Sequence, residues 1–428
     1  MVFSLSRKRD HNLNQAILKA CQKYFLDDYS KYFEHYFYTM IENPFNNTEN
    51  AFSLKSDAEL KKSHFIFSMM GRPWLVNLGS NATMLALKLN LPVKQLIKKT
   101  IFDQFCGGTT DEECMPLVGE MYEKGVSSIL DYSVEGKESE EDCDAVVGKK
   151  LSLIHGASEH NALPFEVVKP TGIGRFYIWQ KVTEKKPLTQ LEQLEWARIY
   201  NRVDLLCKTA VDSNIALLFD GEETWMQDAA DDLVQEMMQK YNHGKAYIYN
   251  TIQCYRHDRL EYVKKLYKNA TDKGYLVGAK IVRGAYMEKE RERAEKMNYP
   301  SPICVDKQAT DDMFNAVMHF ILDHLDVIKL CIGTHNEEST LAAMEVLKER
   351  DIDPNTQDVW FGQLYGMSDN LTYNLAALGH NTFKILPFGP IKDVMPYLIR
   401  RAQENTSVAG QVGRELNLIK QEMERRGL

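Results

Sequence analysis

Short apolar runs rich in β-branched and aromatic residues recur along the chain from about residue 126 onward. Each closes on a polar group and is followed by a stretch of helical period. Eight stand out, at 126–135, 165–171, 215–223, 246–255, 275–286, 327–336, 359–366 and 382–389. Between them lie amphipathic segments such as 188–213, 222–241, 308–325 and 339–349. Strands that alternate with helices pair in parallel, because a parallel crossover needs a helix-length connection. Eight units in about 290 residues predict an α/β fold of the (βα)8 barrel type. A doubly wound open sheet would want a glycine-rich phosphate turn after its first strand, and there is none.

Upstream, residues 1–124 read as a helical arm packed on a barrel of 125–428. Residues 14–42 form a long aromatic-rich amphipathic run, which suits packing against a partner helix. Ser56, with Glu59 three residues on, predicts a capping box opening a helix over 57–70. Residues 91–105 run to a Gly107-Gly108 stop, and a helix over 111–124 leads into the first strand. The acidic run 137–150 is a solvated loop or helix. After Gly389-Pro390, the segment 391–405 reads as the final helix, with Pro396 kinking it or marking its true start.

Composition changes this picture only at the margins. At 428 residues, 44% apolar and 26% charged, the chain can bury a large core and is not globally disordered. Its net charge of -8 gives no electrostatic case for nucleic acid. The eight cysteines lack metal-site spacing and read as reduced thiols, and no metal site is expected. No apolar run is long enough to span a bilayer. Three basic residues open the chain, but Asp10, Asp27, Asp28 and Glu34 follow soon after, which counts against reading it as a mitochondrial transit peptide.

The candidate chemistry sits at the strand ends, where a barrel builds its site. They deliver Asp131 and Glu135, Lys169, Asp220, Gln253 and Tyr255, Lys280, Arg283 and Tyr286, His335 and Asn336, Gln363 and Tyr365. Residues 278–286 are the most telling: a buried strand delivers a cation and a phenol through a Gly284 turn, a design for meeting a ligand. In the last segment Tyr397, Arg400 and Arg401 share one helical face. Two adjacent guanidinium forks suit a small carboxylate. A metal-dependent hydrolase using His335, Asp220 and Asp131 is a rival, though such sites recruit several histidines.

The motifs KIVRGAYMEKERERA (280–294), GTHNEEST (333–340), FGQLYGM (361–367) and LPFGPIKDVMPYLIRRAQENTSV (386–408), supported by FEVVKPTGIGR (165–175), LFDGEE (218–223) and NTIQCY (250–255), resemble the proline dehydrogenase family. They span the whole barrel in order; residues 1–43 carry no such likeness. The resemblance implies a distorted (βα)8 barrel binding FAD without a covalent link and oxidising L-proline to 1-pyrroline-5-carboxylate. It assigns Gln253, Lys280, Arg283, Gly284, the Thr334-His335-Asn336 turn, Leu364, Tyr365 and Met367 to the flavin. It assigns Lys169, Asp220 and Tyr286 to the substrate pocket, Tyr397, Arg400 and Arg401 to the substrate, and Glu135 to an ion pair with Arg400 that gates bound substrate. Ile385 departs from the pattern: most of the family carries a tyrosine there, and hydroxyproline dehydrogenases do not. That opens trans-4-hydroxy-L-proline as the alternative substrate, but isoleucine offers a ring hydroxyl no hydrogen bond, so proline is the expected one. The implied partners are a membrane quinone as electron acceptor and a downstream pyrroline-carboxylate dehydrogenase. The implied location is the cytoplasm against the inner membrane in a bacterium, or the mitochondrion in a eukaryote.

Overall fold

Eight parallel strands form one sheet, in the order β1-β8-β7-β6-β5-β4-β3-β2. They are β1 (Val126–Tyr132), β2 (Phe165–Val168), β3 (Ala216–Phe219), β4 (Ile248–Gln253), β5 (Val277–Val282), β6 (Ile328–Gly333), β7 (Val359–Leu364) and β8 (Thr382–Phe388). The computed structural model describes residues 43–72, 74, 94–133, 138–407 and 411–428. First and last strands pair over their full length, Val126 with Thr382 through Tyr132 with Phe388, which curls the sheet into a barrel. At the seam between β1 and β2 the Ser128 N–H donates to the Ala162 carbonyl at 2.8 Å. The predicted barrel is present, and each strand is shorter than its apolar run because the polar end belongs to the loop.

Alternation decides what each strand contributes. Ile129, Phe165, Val167, Leu218, Tyr249, Cys331, Trp360 and Phe383 form one buried cluster inside the barrel. Phe165 meets Trp360 edge-on, with ring centroids 5.1 Å apart. This packing plugs the barrel floor and leaves only the carboxyl end open for chemistry.

Helices of eight or more residues are numbered α1 (Asp57–Met70), α2 (Asp111–Glu123), α3 (Glu140–Ser158), α4 (Phe176–Thr183), α5 (Gln190–Asp212), α6 (Thr224–Tyr241), α7 (Arg259–Lys273), α8 (Met287–Met297), α9 (Lys307–Leu322), α10 (Glu337–Glu349), α11 (Asp369–Ala377), α12 (Ile391–Ser407) and α13 (Gln411–Arg426). The Ser56 capping box opens α1 as predicted. The acidic run resolves into α3, capped by Ser139. From Lys94 to Phe105 the chain is helical, with a π-helical stretch over Lys98–Phe102. Residues 1–42 and 91–93 lie outside the described set. By compactness the chain divides into Met1–Asn47, whose described part is a single 3-10 turn (Pro44–Asn46), and Thr48–Leu428.

Two expectations need correction. Segment 391–405 is not the final helix, because α13 follows it. Polar and apolar residues interleave over 411–426, so the run does not announce itself, yet Leu418 and Ile419 are fully buried. They join Phe67, Phe102, Phe105, Val394 and Leu398 in a second core on the outside of the barrel. Pro396 does not mark a helix start either, since α12 already begins at Ile391. Among the described residues, no helix is long and apolar enough to cross a membrane.

Candidate functional site

Four charged side chains line the carboxyl end of the first strands. Asp131, Lys169 and Asp220 each stand two residues beyond an inward side chain of the barrel core (Ile129, Val167, Leu218), so all three point inward. Lys280 follows Gly278, whose missing side chain leaves the space taken by the Tyr249 ring; a Cβ there would lie 2.5 Å from it. Lys169 Nζ sits 2.7 and 2.9 Å from the two Asp131 carboxylate oxygens. It also reaches Asp220 at 3.3 Å, and Lys280 pairs with the other Asp220 oxygen. The result is an alternating Asp131–Lys169–Asp220–Lys280 ladder with no net charge. Burial alone would raise the Asp220 carboxyl, but the Lys280 and Lys169 ammonium groups outweigh it and hold it at about 2. Lysines thus occupy the carboxylates a metal site would need, and among the described residues no group of His, Cys, Asp and Glu is gathered to hold a metal.

Beyond β4 to β6 the mouth turns rich in donors. Gln253 Nε2 donates to the Glu222 carbonyl at 2.8 Å, its side chain lying where a Cβ on Gly221 would be. Arg283 pairs with Asp311 at 2.6 Å and donates to Thr334 Oγ1 at 2.9 Å and Ser339 Oγ at 3.0 Å. Gly284 bends the chain with φ +129, and a Cβ there would strike the Tyr255 ring. Asn336 caps α10, accepting from the Ser339 N–H. His335 Nδ1 lies 2.8 Å from Ser368 Oγ. Burial, then Lys384, Arg401 and Arg283, push the His335 imidazole down to about 3, so it stays neutral. Gln253, Lys280, Arg283 and His335 form a set of donors suited to the ring oxygens and phosphates of a flavin dinucleotide.

Over the first strands, α12 forms one wall of a cavity of about 390 Å³ whose lining includes Ser133, Thr171, Glu223, Tyr286, Tyr397 and Arg400. The opposite face of α12, with Val394, Met395 and Leu398, is buried in the outer core. Arg401 stacks on Tyr397, its guanidinium 5.1 Å from the ring centre. The structure therefore brings Tyr286, Tyr397 and Arg400 to one cavity. Ile385, half-buried, packs against the core inside the barrel and stands in register with Leu364, also half-buried. Met367 lies in the outer core, and Tyr365 is close to Lys55, Asp369 and Cys106, where burial pushes its phenol up to about 12. Those two face the helical layer. Glu135 lies outside the described residues.

Sequence reasoning missed Thr171 and Glu222, which hold the cavity wall together: Glu222 accepts from the Thr171 N–H at 2.8 Å and its hydroxyl at 2.7 Å. The acidic pair in LFDGEE was the available signal. It also missed Ser368, whose hydroxyl meets His335, and Asp369, Lys384 and Glu415, which gather around the turn that carries Ser368. Nothing in sequence spacing links them.

The family model described as proline dehydrogenase matches residues 114–414. Among curated relatives, the chain is similar to the carbapenem antibiotics biosynthesis protein CarD of Pectobacterium carotovorum subsp. carotovorum, 34% identical over 75% of this chain and 83% of that protein. It is 31% identical to proline dehydrogenase 1, mitochondrial, of Dictyostelium discoideum, over 79% of this chain and 67% of that protein. It is 29% identical to hydroxyproline dehydrogenase of Xenopus laevis over 88% of each. Among solved structures it resembles proline utilization A (PutA) from Bdellovibrio bacteriovorus inactivated by N-propargylglycine, with a TM-score of 0.65 and 19% identity over 75% of this chain. It spans only 34% of that much longer chain, and the likeness is one of fold.

Proposed function

Because the chain belongs to the proline dehydrogenase family, we propose that it oxidises L-proline to 1-pyrroline-5-carboxylate with a non-covalently held FAD. The observation that carries this reading is the cavity under α12, where Arg400, Tyr397 and Tyr286 converge beside the donor-rich mouth. FAD, when bound, supplies the acceptor for the hydride leaving the ring carbon next to nitrogen, which no side chain can take.

The chain's own residues do the rest. Arg400, with Arg401 beside it, clamps the substrate carboxylate. Tyr397, fixed beneath the Arg401 guanidinium, and Tyr286 bound the ring. Lys169 and Asp220 are assigned to the substrate side of the mouth, where each is paired within the ladder and neither brings an uncompensated charge. The ring nitrogen must be neutral for hydride to leave, and the Arg400 and Arg401 guanidiniums disfavour a second cation beside them, although Glu222, Glu223 and Asp393 also line the cavity. Asp220, held at about 2, is a weak base, so its role is to fix Lys169 and Lys280. On the other side Gln253, Lys280, Arg283, Gly284, the Thr334–Asn336 turn and Leu364 hold the flavin, with Tyr365 and Met367 supporting it from the helical layer. Glu135 is assigned the gate over bound substrate, with Arg400 as its partner.

A second reading is oxidation of trans-4-hydroxy-L-proline. Ile385 faces the barrel interior, the orientation needed to leave room for a ring hydroxyl. Isoleucine offers that hydroxyl no hydrogen bond, so proline is the assigned substrate. We assign reoxidation to a membrane quinone and use of the product to a pyrroline-carboxylate dehydrogenase, in the mitochondrion if the source is eukaryotic. Anaerobic mixing of purified protein with each substrate tests the proposal. L-Proline should bleach the flavin absorbance faster than hydroxyproline, and acid precipitation should release all the flavin. A colourless protein that neither imino acid alters would reject the proposal.

A further inference from the structure

Glu415, on α13, is 5% exposed and reaches the turn that precedes α11. Its carboxylate accepts the backbone N–H of Ser368. Ser368 has φ +50 and ψ +42, a left-handed conformation that a residue with a Cβ adopts only when its surroundings hold it there. Those surroundings are specific. Gln104 Nε2 donates to the Gly366 carbonyl at 3.1 Å, and Lys384 donates to the Met367 carbonyl. Asp369, next in the chain, pairs with Lys384 at 2.9 Å and Lys55 at 3.5 Å. From this turn the Ser368 hydroxyl meets His335 Nδ1 at 2.8 Å. A neutral imidazole has one donor and one acceptor nitrogen. Ser368 anchors the ring through Nδ1; its hydroxyl can donate or accept, so it fixes the ring's angle and not its tautomer.

We propose that Glu415 is a positioning residue for the cofactor: by holding Ser368 in its left-handed turn it fixes the His335 ring where the flavin is bound. The chain Glu415–Ser368–His335 runs from the last helix, through the β7–α11 turn, to the end of β6. It gives α13 a role beyond covering the outer core. The inference rests on the FAD reading and adds a residue that neither the motifs nor the barrel geometry single out.

A purely structural Glu415 would lower stability without acting through His335, and a double-mutant cycle separates the two. The readout is the FAD dissociation constant from flavin fluorescence, measured with melting temperature on the full chain. Glu415→Leu and Ser368→Ala should each weaken FAD binding tenfold or more. Glu415→Gln, which keeps the acceptor, should stay within twofold of wild type. In a His335→Ala background, Glu415→Leu should add less than twofold. If its effect persists undiminished there, or if Glu415→Gln loses FAD as badly as Glu415→Leu, the inference is overturned. Should Glu415→Leu fail to fold, Glu415→Asp, too short to reach Ser368, carries the same cycle. Failure of the wild type to bind FAD would remove the functional reading itself, whereas FAD binding with an additive cycle removes this inference alone.

Discussion

Ile385 is the side chain on which substrate choice turns. It stands opposite Ile129 and Leu364 in the barrel register and packs against the inner core, so a larger residue there grows into the barrel and not into the helices. Ile385→Tyr should therefore disfavour a hydroxylated ring and raise the preference for proline over hydroxyproline. Pocket changes of this kind are worth roughly 1–3 kcal/mol, or about tenfold or more in relative kcat/KM. An unchanged ratio with a lowered melting temperature would mean that the tyrosine only overpacks the interior. Arg400 makes a complementary case. It lines the cavity from α12 while the apolar side of that helix stays buried. Arg400→Met should raise KM for L-proline by an amount equivalent to about 2–5 kcal/mol, leaving flavin content intact. Unaltered steady-state kinetics would remove it from the carboxylate clamp.

At the scale of elements, the strands were legible and the outer layer was not. A barrel strand carries its own signal, because a short apolar run ends in a polar residue aimed at the mouth. Asp131, Lys169, Asp220 and Lys280 were visible for that reason, although nothing in the sequence says that they pair as a ladder. Helix α13 carries no comparable signal. Its polar Glu415 and Glu422 are as buried as its Leu418 and Ile419, so the pattern of a half-exposed helix is lost. Lys384 likewise looks like a misplaced charge in a strand until Asp369 and the Met367 carbonyl are found beside it. Placement of Tyr365 and Met367 in this outer layer was equally hidden, since strand sequence says little about how the following loop turns. If α13 contributes through packing, Leu418→Ala should cost about 2–5 kcal/mol in urea unfolding, as for other fully buried leucines. A loss below half a kcal/mol would show that α13 contributes little to the outer core.

Over the whole molecule, two buried groups joined through Ser368 should shape stability against pH in opposite directions. His335 is pushed from its ordinary 6.5 to about 3, so between those values only the unfolded chain binds its proton, and stability falls as pH falls. Glu415 is raised from 4.5 to about 7 by burial and then by Asp369, against the Ser368 N–H, Lys384 and Lys55. Between 4.5 and 7 only the folded chain binds its proton, and stability falls as pH rises. From 4.5 to 6.5 the two slopes, each at most about 1.4 kcal/mol per pH unit, oppose one another and largely cancel. Removing either group should uncover the other. The melting temperature of Glu415→Gln relative to wild type should climb steadily from pH 4.5 to 7. That of His335→Gln relative to wild type should climb as pH is lowered from 6.5 to 4.5. Comparing each variant with wild type at the same pH cancels the carboxylates common to both, including Asp220, whose depressed value matters only below its ordinary 3.8. Parallel curves for all three proteins would show that neither group titrates differently in the folded state, and that the Ser368 turn is held by its hydrogen bonds without a charge at stake.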